Sequence, residues 1–319
     1  MSEKLDLPKV DFDIDSLKLD VLFENEDYLK ESKRDSLVNN TPSKIDKIYG
    51  NLFMPLSNGD FPHVYSSFVY SLDGKIGFPD LPEGPLVSSK NELDPEGGKA
   101  DFWLLNVLRT YADIVIRGAK TLEAEEEGTG HIFDDDLIDI RKSKLKKRND
   151  HPINLIVSLD GTDIPLNHKV FQVPEITVWI NTSPNGVKYL KKNWEKEFTV
   201  LHDFENKQWK QKIKNAKKGD ILVICTGKEN NTDAIHLLKI LKEIGMEQIS
   251  VESPSYTWHL MKNNLVDEMF INYSSLYIGG EMTFGLNDPF TSEDHPHAKI
   301  VKLAMHNSAF LYTRQKMLY

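Results

Sequence analysis

One cysteine, Cys225, stands in 319 residues. That excludes an intramolecular disulfide and any zinc site built on cysteine ligands. It sits in the apolar run ILVIC, where a buried core thiol is the expectation. Long apolar runs are missing too. No stretch approaches the roughly 20 residues that a membrane helix needs. The opening MSEKLDLPKVDFDID has neither a basic-then-apolar signal layout nor an Arg-rich transit character. Positive charge is in deficit: the formal net charge of -10 argues against nucleic acid or an anionic membrane as a main partner. The histidines show no metal-ligand spacing such as H-E-x-x-H, and His295-Pro296-His297 falls in a polar loop, so no metal is expected. These absences lead us to expect a cytoplasmic protein acting on a small molecule. An anionic ligand would need local positive charge.

Charged and apolar residues occur in ordinary globular proportions. Residues 1–60 are acidic and lack a core of their own; they read as an N-terminal extension packed on the rest or on a partner chain, with short helices plausible in DSLKLDVLFE and NEDYLKESKRD. Residues 61–319 read as one α/β domain. HVYSSFVYSLDGKIGF runs from a strand into an Asp-Gly turn. LDPEGGKADFWLLNVLRTYA has Phe102, Leu105, Leu108 and Tyr111 at helical spacing. ADIVIRGAKT, INLIVSLDG, EITVWINT, GDILVICTG, MEQISVE and VDEMFINYSS read as strands. NTDAIHLLKILKEIG reads as a helix with Ile235, Leu238, Leu241 and Ile244 on one face, and SPSYTWHLMKNN as another. Single helices between strands imply crossovers and a mainly parallel central sheet flanked by helices, and AKIVKLAMHNSAFLYTRQK adds antiparallel C-terminal strands. The basic run Arg141 to Arg148 reads as a solvated surface.

Four stretches fall at C-terminal ends of these strands, where ligands sit in open α/β sheets. In Ser71-Leu72-Asp73-Gly74-Lys75-Ile76, a carboxylate stands beside a tight turn; it either meets a polar ligand or simply bonds its own backbone. In Arg117-Gly118-Ala119-Lys120-Thr121, the glycine lets backbone approach a ligand, while Arg117 and Lys120 offer positive charge. In Val251-Glu252-Ser253-Pro254-Ser255, Ser253 suits a helix N-cap and Pro254 the first helical position. The amides behind them can take an anion, assisted by the Ser253 and Ser255 hydroxyls, or the turn is only a well-capped helix. Tyr277-Ile278-Gly279-Gly280-Glu281 is a glycine pair after a strand, or only a loop.

In this order and spacing the stretches resemble the C-terminal reductase domain of the bacterial riboflavin biosynthesis protein, a family with the dihydrofolate reductase fold. Ser71 to Ile76 match its S-L/V-D-G-K-I, and VSSKNE matches a Ser-Ser or Thr-Ser segment. Leu108-Arg109-Thr110-Tyr111-Ala112-Asp113 match L-R-x-x-A-D, and Gly118 to Thr121 match G-A-x-T. Val251 to Pro254 stand at V-E-G-G, Leu265 to Glu268 at L-V-D-E, and Tyr277 to Gly280 at L-I/L-G-G. The resemblance implies a homodimeric, NADPH-dependent reductase of a pyrimidine ribosylamino phosphate. It implies Gly118, Thr121, Glu252, Ser253 and Gly280 for cofactor, and Ser71 and Ser88 for substrate; Gly227, Ser255 and Gly279 join the cofactor candidates on their own account. Asp73 and Lys75 are the expected catalytic pair; Lys75 and Lys120 would also neutralise the phosphates of substrate and cofactor. The zinc deaminase signatures H-x-E and P-C-x-x-C of bifunctional members are absent. The departure is V-E-S-P in place of V-E-G-G, since side chains there push a phosphate outward. The alternatives are another heterocycle, such as a pterin or folate, on the same fold and cofactor, or a non-catalytic nucleotide-binding protein.

Overall fold

The computed structural model describes residues 7–217 and 219–319. Residues 1–6, which open the extension, lie outside the described residues, as does residue 218. In chain order the strands are β1 (Asp20–Glu24), β2 (His63–Ser71), β3 (Ile114–Gly118), β4 (Ile153–Val157), β5 (Val178–Thr182), β6 (Phe198–Leu201), β7 (Ile221–Cys225), β8 (Gln248–Val251), β9 (Glu268–Ser274), β10 (His297–His306) and β11 (Phe310–Leu318). They form one sheet in the order β1-β10-β11-β9-β2-β8-β3-β4-β5-β7-β6. From β9 to β6 the neighbours are parallel, and β11, β10 and β1 add antiparallel partners. This is the mainly parallel sheet with antiparallel C-terminal strands that the sequence led us to expect.

Alternation along the strands divides the core. Ile114 and Ile116 point to one face, where helices Ala234–Glu243 and Pro254–Lys262 bury Leu237, Leu241 and Leu260. Val115 and Tyr65 point to the other, against Trp103, Leu104, Val107 and Leu108 of helix Pro95–Tyr111. Helix Pro184–Asn193 covers the same side further along, over Ile156, Ile180 and Val223. Two sequence-based faces shift. Ile235 is exposed while Leu237 is buried, and Trp103 and Leu104 are buried where Phe102 and Leu105 are only partly so. Strand β6 and helices Pro184–Asn193 and Gln208–Asn215 had no counterpart in the pattern reading.

The chain before residue 61 is woven into this unit. DVLFE is strand β1, antiparallel to β10, and not part of a helix; of that stretch only the residues in helix Ile14–Leu17 are helical. Phe12, Leu17, Leu19, Ile45, Ile48, Tyr49, Leu52 and Met54 join the core beside helix Pro95–Tyr111. The basic run is also corrected. Arg141 is buried and donates to the carbonyls of Arg109, Thr110 and Ala112. Lys147 pairs with Asp113 at 2.7 Å. Cys225 is half-buried at the end of β7, and burial raises its thiol pKa.

Candidate active site

Connections decide where a cleft can open. After β3 the chain turns to the face of helix Pro95–Tyr111, where Ala119 and Leu122 are buried. After β8 it turns to the opposite face through helix Pro254–Lys262. Neighbouring strands whose chains depart to opposite faces leave a crevice beyond their carboxyl ends. A second feature widens it. β2 pairs with β8 only from His63 to Ser66, yet continues beside β9 to Ser71. Past Ser66, β2 has a strand partner on the β9 side alone.

At the β3–β8 junction the structure brings Gly118, Thr121 and Ser253 together. A Cβ on Gly118 would lie 2.6 Å from Ser253 Oγ and 3.7 Å from Thr121 Oγ1. Ser253 is the N-cap residue and Pro254 opens the helix, as expected, but the Ser253 side chain makes no capping hydrogen bond. It is buried and leans over Gly118, so the serine that replaces a glycine fills part of the space a glycine leaves. Ser255 is exposed in the first turn. Glu252 is held from behind: Arg109 Nε and Nη2 each donate to its carboxylate at 2.7 Å. Such a bidentate pair fixes the turn, and it commits both oxygens of Glu252. Arg117, read as positive charge for a ligand, is corrected. It is fully buried, with Nη1 on the Gly128 carbonyl and Nη2 on Glu125, and burial lowers its pKa. Lys120 is exposed and makes no ion pair among the described residues.

At the end of β2, Ser71 Oγ donates to Asp73 Oδ1 at 2.6 Å and accepts from the Lys75 amide at 2.9 Å. Asp73 also accepts from the Ile278 amide at 3.1 Å and the Gly279 amide at 2.7 Å. Gly279 and Gly280 both have positive φ, 75° and 70°, which only glycine adopts freely, so the pair shapes the loop that Asp73 grips. The Ser71 hydroxyl and these amides hold the Asp73 carboxyl down at about 2. Asp73 is therefore an ionised clamp between turn and loop, with no proton to give at neutral pH. Lys75 makes no ion pair among the described residues. Gly227 stands apart. Four positions along the sheet from β8, its positive φ serves the Lys228–Asn231 turn, and it lines a separate cavity of about 460 Å³ with His236 and His259.

Ser88 lies buried beside a residue the motifs did not single out, Asp101. Asp101 is on the inward side of helix Pro95–Tyr111, in step with Gly97, Leu104 and Leu108. Its Oδ1 accepts from Asn272 Nδ2 of β9 at 2.7 Å. Burial pushes its carboxyl up to about 6, against opposing hydrogen bonds from Asn272 and Ser88. Asn272 Oδ1 and Ser274 Oγ are buried without a partner among the described residues. The signal was present in the sequence: an aspartate at i+4 from one buried helix position and i−3 from another.

The sequence matches the RibD C-terminal domain family over residues 62–305. A search of curated protein sequences finds no match. Among solved structures, a pyrimidine reductase-like protein from Corynebacterium diphtheriae is 17% identical, with a TM-score of 0.57 over 86% of this chain and 98% of that one. RibD from Acinetobacter baumannii is 15% identical, with a TM-score of 0.51 over 82% of this chain and 59% of that longer one. A deaminase/reductase from Thermotoga maritima is 14% identical, with a TM-score of 0.51 over 80% and 56%. At these identities the likeness establishes the fold, which is dihydrofolate reductase-like.

Proposed function

The chain belongs to the RibD C-terminal domain family, and from that membership we propose that it is an NADPH-dependent reductase of a pyrimidine ribosylamino phosphate. The supporting observation is the crevice at the β3–β8 junction, where Gly118, Thr121 and the first turn of helix Pro254–Lys262 face one another. The group fits there on chemical grounds. A glycine without a side chain, a helix N-terminus and the unpaired cation of Lys120 suit a dinucleotide phosphate. The Ser253 and Ser255 hydroxyls would replace the close backbone approach that a glycine pair allows. When bound, the cofactor supplies a hydride. Glu252 acts through its Arg109 pair to hold the turn. Gly279 and Gly280 shape the opposite rim, and Asp73 fixes it in place. On the substrate side, Ser71 holds the Asp73 turn, Ser88 lies buried beside Asp101, and Lys75 meets the phosphate. Homodimerisation and a cytoplasmic setting belong to the same proposal; among the described residues no helix is long and apolar enough to cross a membrane.

Titration with NADPH and NADH, followed by thermal unfolding, tests binding. A ligand at a hundred times its dissociation constant stabilises by about 2.7 kcal/mol. Incubation with 5-amino-6-(5-phosphoribosylamino)uracil should then consume NADPH and yield the ribityl product. One observation favours a rival: the Ser253 hydroxyl occupies the space above Gly118. No unfolding shift with either nucleotide would favour that rival, a non-catalytic relative.

A further inference from the structure

Reduction of a ribosylamine needs more than a hydride. The sugar ring must open first, and its oxygen must gain a proton when the C1–O bond breaks. Asp73 is ionised and committed to the loop, so the donor has to be sought elsewhere. Asp101 is the carboxyl whose surroundings suit the task. It stays partly accessible, and it bonds Asn272, which lies opposite Val69 in the half of β2 that has no β8 partner. Its neighbours are neutral: Asn272 from β9, Ser88 from helix Leu86–Ser89, and Tyr312 from β11, whose hydroxyl donates to the Gly97 carbonyl. No cation among the described residues pairs with it. Its burial keeps it protonated at a pH where Asp73 is not. The unpartnered Asn272 Oδ1 and Ser274 Oγ lie on the same side of β9 and keep that corner polar.

We propose that Asp101 is the general acid that opens the ribose ring of the substrate, with Asn272 as its positioning residue. The inference rests on the reductase reading above. The Asp101 proton passes to the ring oxygen while the exocyclic nitrogen lone pair forms the C1=N bond, giving an iminium ion and a carboxylate. Reduction of that iminium carbon to the amine would draw its hydride from the bound cofactor, and solvent returns the proton to Asp101.

Ring opening can be observed without any cofactor, because an opened ribosylamine recloses to either anomer. Exchange spectroscopy on 5-amino-6-(5-phosphoribosylamino)uracil should show anomer exchange accelerated at least about tenfold by the wild-type chain, falling as pH rises past about 6. Asp101→Asn should abolish that acceleration and lower kcat by about 10²–10⁴, the range of a general acid. Asn272→Leu removes a hydrogen bond that favours the carboxylate, so the pH at which exchange falls off should move up; a structural role alone would not move it. Near-UV circular dichroism establishes that each variant is folded. Wild-type exchange no faster than in buffer, or exchange and kcat unchanged in Asp101→Asn, overturns the proposal. Because the exchange assay contains no NADPH, failure to bind cofactor is a separate result that strikes the reductase reading.

Discussion

Gly118 and Ser253 are paired by space, and the pairing can be tested with two methyl-sized changes. Gly118→Ala would set its Cβ 2.6 Å from Ser253 Oγ. Overpacking of this kind costs about 1–3 kcal/mol. Ser253→Gly clears the space, so Gly118→Ala/Ser253→Gly should recover most of the loss, a coupling that urea midpoints at constant m would measure. By itself, Ser253→Gly removes a hydroxyl assigned to the phosphate and should raise the NADPH Kd by calorimetry; a lowered Kd would mean the hydroxyl is an obstruction and not a ligand. Asp73 makes a different prediction. Its folded pKa is depressed to about 2, so its contribution is present above the unfolded value and lost as pH falls through about 2. At neutral pH, Asp73→Asn places an amide where one loop N–H now finds an oxygen. Hydrogen exchange at Ile278 and Gly279 should quicken, and turnover should fall more than NADPH affinity.

Helix Pro95–Tyr111 shows what holds an element to the site. Asp94 accepts from the Gly97 amide at its start, and Pro95 opens it. At its far end Arg141 donates to the carbonyls of Arg109, Thr110 and Ala112, satisfying groups that a helix terminus leaves bare. Arg141→Ala should therefore cost about 3 kcal/mol in urea unfolding, since several buried acceptors lose a charged donor. Arg141→Lys should recover only part, because a point charge cannot reproduce the guanidinium fork. The same helix marks the limit of what its sequence revealed. Asp94, Pro95 and the apolar spacing disclose a helix, and Gly118 and Val251 to Ser255 disclose strand ends. Arg141 reads as a solvated charge until the fold delivers it to a helix end 30 residues earlier in the chain. The spacing of Asp101 to Gly97 and Leu104 puts it on the buried helix face, but its partner Asn272 comes from distant β9. Strand β1 is short, and its pairing with β10 spans nearly the whole sequence. Side-chain partners set by distant segments leave no local pattern, whereas caps and hydrophobic periods do.

The extension and the pH response are properties of the whole molecule. Tyr28 donates to the buried Glu268, which also pairs with Arg314 and lies 3.3 Å from His63 Nε2, and Lys302 donates to the Tyr49 carbonyl. Deleting residues 1–60 would strip ten buried apolar side chains, Leu29 and Phe53 among them, and bare the Glu268–Arg314 pair. Such a truncation should bind a hydrophobic dye and lose near-UV circular dichroism. Acid sensitivity sets a buried group and a largely shielded one against each other. His131 stacks near Phe133, and burial lowers its pKa to about 4. Neutral in the fold and protonated in the unfolded chain, it makes stability fall as pH drops from 6.5 to about 4. Asp101, raised to about 6, holds a proton that the unfolded chain releases near 3.8, so its contribution is lost as pH rises across nearly the same window. Each slope is at most about 1.4 kcal/mol per pH unit, and the signs oppose. Asp101→Asn should therefore lose stability on acidification from pH 6 to 4 more steeply than the wild type, and His131→Asn less steeply. Urea midpoints measured across that range decide: two variants that parallel the wild type would mean that neither proton is governed by burial in the fold.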